Sequence, residues 1–381
     1  MRILLIEPYY SGSHKVWADG YIKYSKHTIE LMTLEGRHWK WRMHGSAIEM
    51  AARINAKYKN KPAPDLMLVS DMVDLTSLIS LLDRSLRSIP TAFYFHENQL
   101  SYPYTDNDTD SKRARDFHYG FINYTSALAS DHVFFNSKAQ MDSFFHALET
   151  LLKRMPDYRG LETVTALKEK TTVLPLGIEF PDCDKDATDN SLKNTPANAD
   201  WPTILWTHRW EYDKNPNDFF EALYTLSEDG LHFNLAVLGA ESKKPPKVFK
   251  EAKERLKKHI VAFGKPNTYE AYVEWLVQSD ILPVTSNHET FGISFMEAIH
   301  CGVQPLLPRR LSYPELVCPN AHPDFFYENQ EDLVKRLRHF ILNFRPQAKS
   351  HKRDVFRYIT QKYDWEHMHT VYDKKLLSII Q

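Results

Sequence analysis

Glycine is scarce in this chain. Its 12 glycines in 381 residues are about half the ~7% usual for globular proteins, and no GxGxxG follows the first apolar run, which argues against a dinucleotide-dependent dehydrogenase. Cysteine is scarcer still. Cys183, Cys301 and Cys318 form no CxxC pair and leave an odd count, so neither a disulfide framework nor a cysteine zinc site is expected, and a reducing compartment fits best. Despite 18 histidines there is no HExxH pair, no other histidine cluster with metal spacing and no Ser-His-Asp order, so no metal dependence is expected. Net charge is nearly absent. A balance of −1 argues against a wholesale polyanion binder, and any nucleic acid would have to be held by a local patch. The opening run Met1–Ile6 is too short for the apolar core of a secretion signal, and no apolar stretch is long enough to span a bilayer. The expectation is a cytoplasmic protein with no stable membrane association.

What is present suits two domains. A length of 381 residues, with 43% hydrophobic and 25% charged side chains, exceeds one ordinary core. Short apolar runs alternate with helix-length amphipathic segments throughout, which predicts an α/β fold with mostly parallel sheets. Strands are expected at Arg2–Ile6, Thr28–Thr33, Asp65–Val69, Thr91–Phe95, His132–Asn136 and Thr172–Leu174 in the first half. In the second half they are expected at Thr203–Thr207, Asn234–Leu238, Ile260–Phe263, Ile281–Val284 and Val303–Leu306. Each set makes a complete doubly wound sheet. Asp182–Asp200 is rich in Asp, Asn and Thr and nearly free of large apolar residues, which marks a linker. The expected division is a first domain over 1–180, a linker over 181–200, a second domain over 201–350 and a helical segment over 351–381 with a break near Asp364-Trp365.

The segment Ser286–Glu297 sets two carboxylates, Glu289 and Glu297, eight residues apart around the start of a helix expected over Gly292–Cys301 and ended by Gly302. The preceding Asp280–Thr285 reads as a buried strand, so this turn opens at the carboxyl edge of a parallel sheet. There the amides of Thr290, Phe291 and Gly292 can hold phosphate or sugar oxygens while carboxylates accept from hydroxyls. Two solvated surface glutamates are the plainer alternative. Arg209 and Lys214, in Thr207–Pro216, follow the first strand of the second domain, where two cations neutralise a diphosphate without a metal or simply pair with Glu211 and Asp213. Gly239 and Gly264 follow later strands of the same sheet. Cations for phosphate plus carboxylates for hydroxyls describe a nucleotide-sugar site.

In the first domain the loop Tyr9–His14 offers Gly12, Ser13 and His14 at an expected helix start, a composition that suits a diphosphate or sugar acceptor as well as a simple turn. Tyr94–Asn98 ends a strand. His96 there can orient or polarise a transferred group or serve as a structural hydrogen-bonder, Glu97 can be an auxiliary base or an ion-pair partner, and Asn98 stands beside them. Gly36–His44 interleaves Trp39 and Trp41 with Arg37, Lys40 and Arg42, which suits a single-stranded RNA loop or a tryptophan pair buried under a loop. Lys243–Lys258 carries eight Lys or Arg against two Glu, and Lys335–Arg353 is also basic. Such helices bind tRNA phosphates or anionic membrane, or are solvated faces.

Glu289 and Glu297 at E-x7-E spacing, with Phe291-Gly292, the Arg209–Lys214 pair and the strand-end His96, resemble the retaining glycosyltransferases of the GT-B fold, family four. The resemblance covers nearly the whole chain. It implies an α/β, GT-B architecture: two Rossmann-like domains facing a central cleft, the first binding the acceptor and the second the nucleotide sugar, with the C-terminal helical segment returning to the first. By resemblance, Arg209 and Lys214 hold the donor diphosphate, Glu289 the transferred sugar and Glu297 the nucleotide ribose, with Gly264 and Lys265 near the base. His208 and Asn215 stand where many members have glycine, and Leu174–Ile178 replaces a frequent Pro-Asn-Gly. Together with Ile6–His14, Trp39–Arg42, Phe95–Leu100 and His208–Pro216, these departures resemble the branch of the family that mannosylates a queuosine-modified tRNA. That implies GDP-mannose as donor, a queuosine-modified tRNA for aspartate as acceptor, and no metal. His14, Trp39, Trp41, Arg42, Glu97 and Asn98 are the candidates for meeting the tRNA. Three rivals stay open here: transfer of another sugar to a lipid or polysaccharide on the same fold, a non-catalytic tRNA-binding protein, and a sugar-nucleotide epimerase of similar architecture.

Overall fold

A continuous apolar run such as Ile3–Ile6, fully buried on both faces, is what a central strand of a parallel sheet requires, because helices cover it above and below. The computed structural model describes residues 1–103, 117–183, 198–242, 244–345 and 349–381. The linker expected over 181–200 lies for the most part outside them, as does Lys243. Two units result, one of Met1–Glu179 with Tyr363–Gln381 and one of Phe180–Lys362.

The first unit contains β1 (Arg2–Tyr10), β2 (Thr28–Glu35), β3 (Leu66–Ser70), β4 (Thr91–Phe95), β5 (His132–Phe135) and β6 (Thr171–Val173). They form one sheet in the order β2-β1-β3-β4-β5-β6, every pairing parallel. Its helices are α1 (Gly12–Tyr24), α2 (Trp39–Tyr58), α3 (Leu75–Leu81), α4 (Phe117–Ala129), α5 (Lys138–Lys153) and α6 (Leu161–Glu169). The second unit repeats the scheme with β7 (Thr203–Trp206), β8 (Asn234–Val237), β9 (Ile260–Phe263), β10 (Ile281–Pro283), β11 (Gln304–Pro308) and β12 (Phe326–Tyr327), in the order β12-β11-β10-β7-β8-β9, again all parallel. Its helices are α7 (Pro216–Glu228), α8 (Val248–Arg255), α9 (Tyr269–Gln278), α10 (Ile293–His300), α11 (Tyr313–Leu316), α12 (Gln330–Leu342) and α13 (Lys349–Thr360). The last helix, α14 (Trp365–Leu377), belongs to the first unit.

In each sheet the chain reverses its direction of winding once, between β1 and β3 and between β7 and β10. Those switch points leave open crevices at the carboxyl ends of the strands, where ligands bind in doubly wound folds. Polar N-caps start several of the helices: Ser137 accepts from the Gln140 amide at 3.1 Å, Thr268 from Ala271 at 3.1 Å and Asn329 from Asp332 at 3.0 Å.

The structure corrects two expectations. Of the terminal segment 351–381, only the part from Tyr363 joins the first unit. α13 stays with the second, because Arg353 covers Gly302 and His300 Nδ1 lies 3.0 Å from Thr360 Oγ1. The break falls at Asp364, which caps α14 by accepting from the Glu366 amide at 2.8 Å. α14 is then anchored by Trp365, fully buried against Gly20 and Gly177, and by Tyr372, whose hydroxyl accepts from Trp17 Nε1 at 3.0 Å. Secondly, Cys183 and Cys301 are joined in a disulfide, with Cα atoms 5.5 Å apart across 118 residues of sequence; Cys318 is free and exposed. A pairing that distant leaves no local spacing to read. No helix among the described residues is long and apolar enough to cross a membrane.

Candidate active site

At the β7–β10 switch point, the turn Tyr212–Lys214 and the loop after β10 are laced together through backbone atoms. The Asn287 and His288 amides donate to the Asp213 carbonyl at 2.8 and 3.2 Å, and Thr285 Oγ1 donates to the carbonyls of Lys214 and Asn215 at 3.1 and 2.8 Å. Asn215 takes a left-handed φ of 51°. Asparagine tolerates that conformation nearly as glycine does. The lacing brings Lys214, nearly buried, to Glu289. Lys214 Nζ donates to the His288 carbonyl at 2.8 Å and to Glu289 Oε2 at 3.3 Å, and lies 3.2 Å from Asp213 Oδ2. Burial works against the Lys214 charge, but Glu289 and then Asp213 outweigh it and hold its pKa above the ordinary lysine value. Burial likewise opposes the Glu289 charge, and Lys214 is the chief group that overcomes it, so Glu289 stays below the usual carboxylate value. His208, buried and facing Lys214, is pushed down to about 4 and is neutral.

Arg209 is placed differently. Its side chain is 55% exposed and its NH1 lies 3.2 Å from Glu211 Oε1, a surface pair that a stronger anion can displace. Glu297 lies on α10, where Tyr269 and Tyr272 of α9 donate to its two oxygens at 2.9 and 3.1 Å. Burial pushes its carboxyl up to about 7 against those bonds. Gly292, at φ 97°, opens α10, and a Cβ there would strike Phe295. Gly239, at φ 113°, lets the end of β8 pass the His208 carbonyl. Gly264, at φ 122°, ends β9 with open space beside it, and Lys265 follows on the surface. Thr290 and Phe291 complete the loop between the two glutamates, with Phe291 buried and its carbonyl bound to Ser312 Oγ at 3.2 Å.

The first unit has its own buried polar cluster beside the β1–β3 switch. Glu7, fully buried in β1, accepts from the Tyr9 amide at 2.8 Å through Oε1 and lies 3.0 Å from His14 Nδ1 through Oε2. The His14 ring stacks on His96 with centroids 4.1 Å apart, and Trp17 meets His96 edge-on at 4.6 Å. Asp71, at the end of β3, accepts the His96 and Glu97 amides at 3.2 and 3.3 Å, and Asn136 donates to the His96 carbonyl at 3.0 Å. Burial lowers the His14 pKa, but Glu7 and then Asp71 and Glu97 raise it to about 9, so His14 is an imidazolium. Burial and that neighbouring cation keep His96 neutral, well below the usual histidine value. His96 Nε2 and Asn98 Nδ2 are buried without a hydrogen-bond partner among the described residues. Ligand atoms of Glu7, His14 and His96 all lie within 4.8 Å of one another, as metal ligands do, yet the Glu7–His14 ion pair already balances the buried charge.

Gly12 and Ser13 are exposed on the first turn of α1, just before His14. Trp39 and Trp41 begin α2 rather than lying in a loop, and they part company: Trp39 packs on Tyr119 with centroids 5.2 Å apart, while Trp41 is 63% exposed. Glu7 and Asp71 were not singled out by sequence. The available signal was a lone carboxylate inside or just after an apolar strand. Tyr269 and Tyr272 carried no signal at all, whereas Asp213 was expected as a partner of the two cations and lies 3.2 Å from Lys214 Nζ. A cavity of about 850 Å³, lined by Ile281, Gln304 and α12, opens at the amino edge of the second sheet, away from Glu289.

Residues 2–178 match the N-terminal domain of tRNA-queuosine alpha-mannosyltransferases, and residues 188–357 match the glycosyl transferases of group 1. The tRNA-queuosine alpha-mannosyltransferase of Drosophila melanogaster is 32% identical over 346 residues, covering 89% of this chain and 86% of its own. This chain belongs to that family. It is a glycosyltransferase, and its two parallel six-stranded sheets are those of the GT-B fold. Among solved structures, sucrose-phosphate synthase from Thermosynechococcus elongatus superposes with a TM-score of 0.70 at 14% identity, covering 100% of this chain and 99% of its own. Anabaena HepE in complex with UDP gives 0.66 at 14% identity, covering 99% and 100%. At such identities the likeness is one of fold. Family membership gives the Lys214–Glu289 and Glu7–His14–His96 constellations a common setting: a sugar-transfer enzyme with one polar centre at each switch point.

Proposed function

We propose that this chain transfers mannose from GDP-mannose to a cyclopentene hydroxyl of queuosine in the tRNA for aspartate, in the cytoplasm, with retention of configuration. The observation that carries the donor half is the Lys214–Glu289 pair at the β7–β10 switch point, with Arg209 beside it. A diphosphate entering there exchanges the weak Arg209–Glu211 pair for a charge-assisted contact and adds a second cation in Lys214. Glu289 stays ionised and accepts from sugar hydroxyls. Glu297, close to half-protonated at neutral pH, accepts from the ribose. The acceptor half rests on the relative's activity.

In the reaction, the bond from the anomeric carbon to the diphosphate oxygen breaks as the acceptor oxygen bonds to the same carbon. The acceptor proton passes to a departing phosphate oxygen. Arg209, Lys214 and the first-turn amides of α10 stabilise the charge that develops on the diphosphate, the dominant electrostatic contribution. His96, neutral and with a free Nε2, is assigned to orient the transferred sugar. No metal is assigned a role. The test is to offer GDP-mannose, other GDP-sugars and UDP-glucose in parallel with queuosine-containing tRNA. Transfer from GDP-mannose alone, with an α-linked product by NMR, is expected; equal use of UDP-glucose or a β-linked product would contradict the reading.

A further inference from the structure

Where β2 ends and α2 begins, an open groove of about 510 Å³ is lined by Tyr10, Glu35, Gly36, Arg37, Arg42 and Arg53 among others. Two of its arginines are braced by backbone. Arg42 Nε donates to the Glu35 carbonyl at 3.2 Å, and Arg53 NH1 to the Thr33 carbonyl at 3.4 Å. Arg37 pairs with Glu35 at 2.7 Å, with both side chains about two-thirds exposed. Exposed pairs of this kind contribute little, so a phosphate can replace Glu35 at small cost. Trp41, one position before Arg42, lies against Gly45, where a Cβ would strike its ring, and shows the rest of its surface to solvent.

The groove adjoins the polar centre of the first unit. Gly36 presses on Ser11 of the β1–α1 loop so closely that any Cβ there would collide with it. Tyr9, Trp39 and Tyr119 pack on Met43, Met72 and Ile122, and Tyr9 meets the His14 ring at 5.7 Å. In the order β2-β1-β3-β4, the strand carrying the groove and the strand ending at His96 are three spacings apart. At ~4.8 Å per spacing that is about 14 Å, the reach of a few nucleotides.

We infer that the groove formed by Arg37, Arg42 and Arg53, together with the exposed Trp41 that precedes Arg42 on α2, is the docking surface for the anticodon loop of the tRNA substrate. The arginines hold phosphates of nucleotides flanking the modified one, and Trp41 stacks on an unpaired base. Braced guanidinium groups next to an exposed aromatic ring are what single-stranded RNA requires: charge along the backbone and a platform for a base. Arg53 also pairs with Glu49 at 2.7 Å, an exposed pair on the same helix that a phosphate can likewise replace. The inference rests on the tRNA reading above.

The test is binding of fluorescent, queuosine-containing tRNA at several salt concentrations to the parent protein and to Arg42→Ala, Arg53→Ala, Trp41→Ala and Trp41→Phe, with GDP binding and thermal melting followed in parallel. Each arginine variant should weaken RNA binding and lower the salt slope by about one. Trp41→Ala should weaken binding by about five-fold to a hundred-fold, and Trp41→Phe should restore most of it, with GDP binding unchanged. Variants that bind RNA like the parent, while the parent still mannosylates tRNA, would overturn the surface and leave the transfer reading standing. A parent protein that neither binds nor mannosylates tRNA would overturn both. Binding of phosphatidylserine vesicles that tRNA does not compete away, with RNA binding unaffected by the variants, would assign the groove to lipid and overturn the inference.

Discussion

Lys214 and Arg209 are both cations near one expected diphosphate, and their surroundings give them opposite mutational signatures. Lys214 is nearly buried between Asp213 and Glu289. Lys214→Met leaves two buried carboxylates without a counter-charge and should cost about 3–5 kcal/mol of stability, read by urea unfolding. Arg209→Ala removes an exposed side chain and should leave stability within about 0.5 kcal/mol, while turnover falls by about a hundred-fold or more. Near-normal turnover in Arg209→Ala would remove it from the site. In the first unit, folded His14 titrates at about 9 against an ordinary 6.5. The folded state therefore holds this proton more tightly than the unfolded chain. Its stabilisation is complete below pH 6.5 and is lost as pH rises through 9, on the order of 3 kcal/mol by linkage. Asp71, raised by burial to about 7, acts in the same direction at lower pH, between its ordinary value and 7. Unfolding free energy should thus fall between pH 6.5 and 9, and Glu7→Gln should flatten that fall; a fall unchanged in Glu7→Gln would show that the pair does not hold the proton. The residues legible in sequence were those whose meaning lies in local spacing, Glu289 with Glu297 and Arg209 with Lys214. Glu7 acquires its meaning from His14 on α1, and Asp71 from the amides that follow β4.

At the scale of elements, the parallel sheets made the strands readable, since strands buried on both faces are unbroken apolar runs. β12 escaped because it is two residues, Phe326–Tyr327, extending the sheet beyond β11. The start of α14 was visible as Asp364-Trp365, an N-cap followed by a large aromatic. The division of the terminal segment was not, because it depends on Gly302 lying under Arg353 and on His300 meeting Thr360. The turn after β7 and the end of β8 meet at Gly239, whose φ of 113° and contact with the His208 carbonyl both exclude a side chain. Gly239→Ala should cost about 1–3 kcal/mol and weaken GDP binding, because its neighbours are the residues before Arg209. Stability and GDP binding equal to the parent's would refute this close approach.

For the whole molecule, two sheets of the same parity and winding each present one switch point, and the polar chemistry gathers at both: Lys214 with Glu289 in one unit, Glu7 with His14 and His96 in the other. The double architecture was legible from the alternation of apolar runs. The Cys183–Cys301 bond was not, since the count of cysteines is odd and the bonded pair is 118 residues apart in sequence. Nor does any periodicity encode mannose, guanine or queuosine; mannose and queuosine follow from family kinship, and guanine belongs to the proposal. The most direct measurement is to incubate the protein with radiolabelled GDP-mannose and total tRNA from cells with and without queuosine, then separate the RNA. Label confined to queuosine-containing tRNA is the expected result. Label on both pools alike, or on neither while the protein still binds GDP-mannose, would contradict the assignment of acceptor.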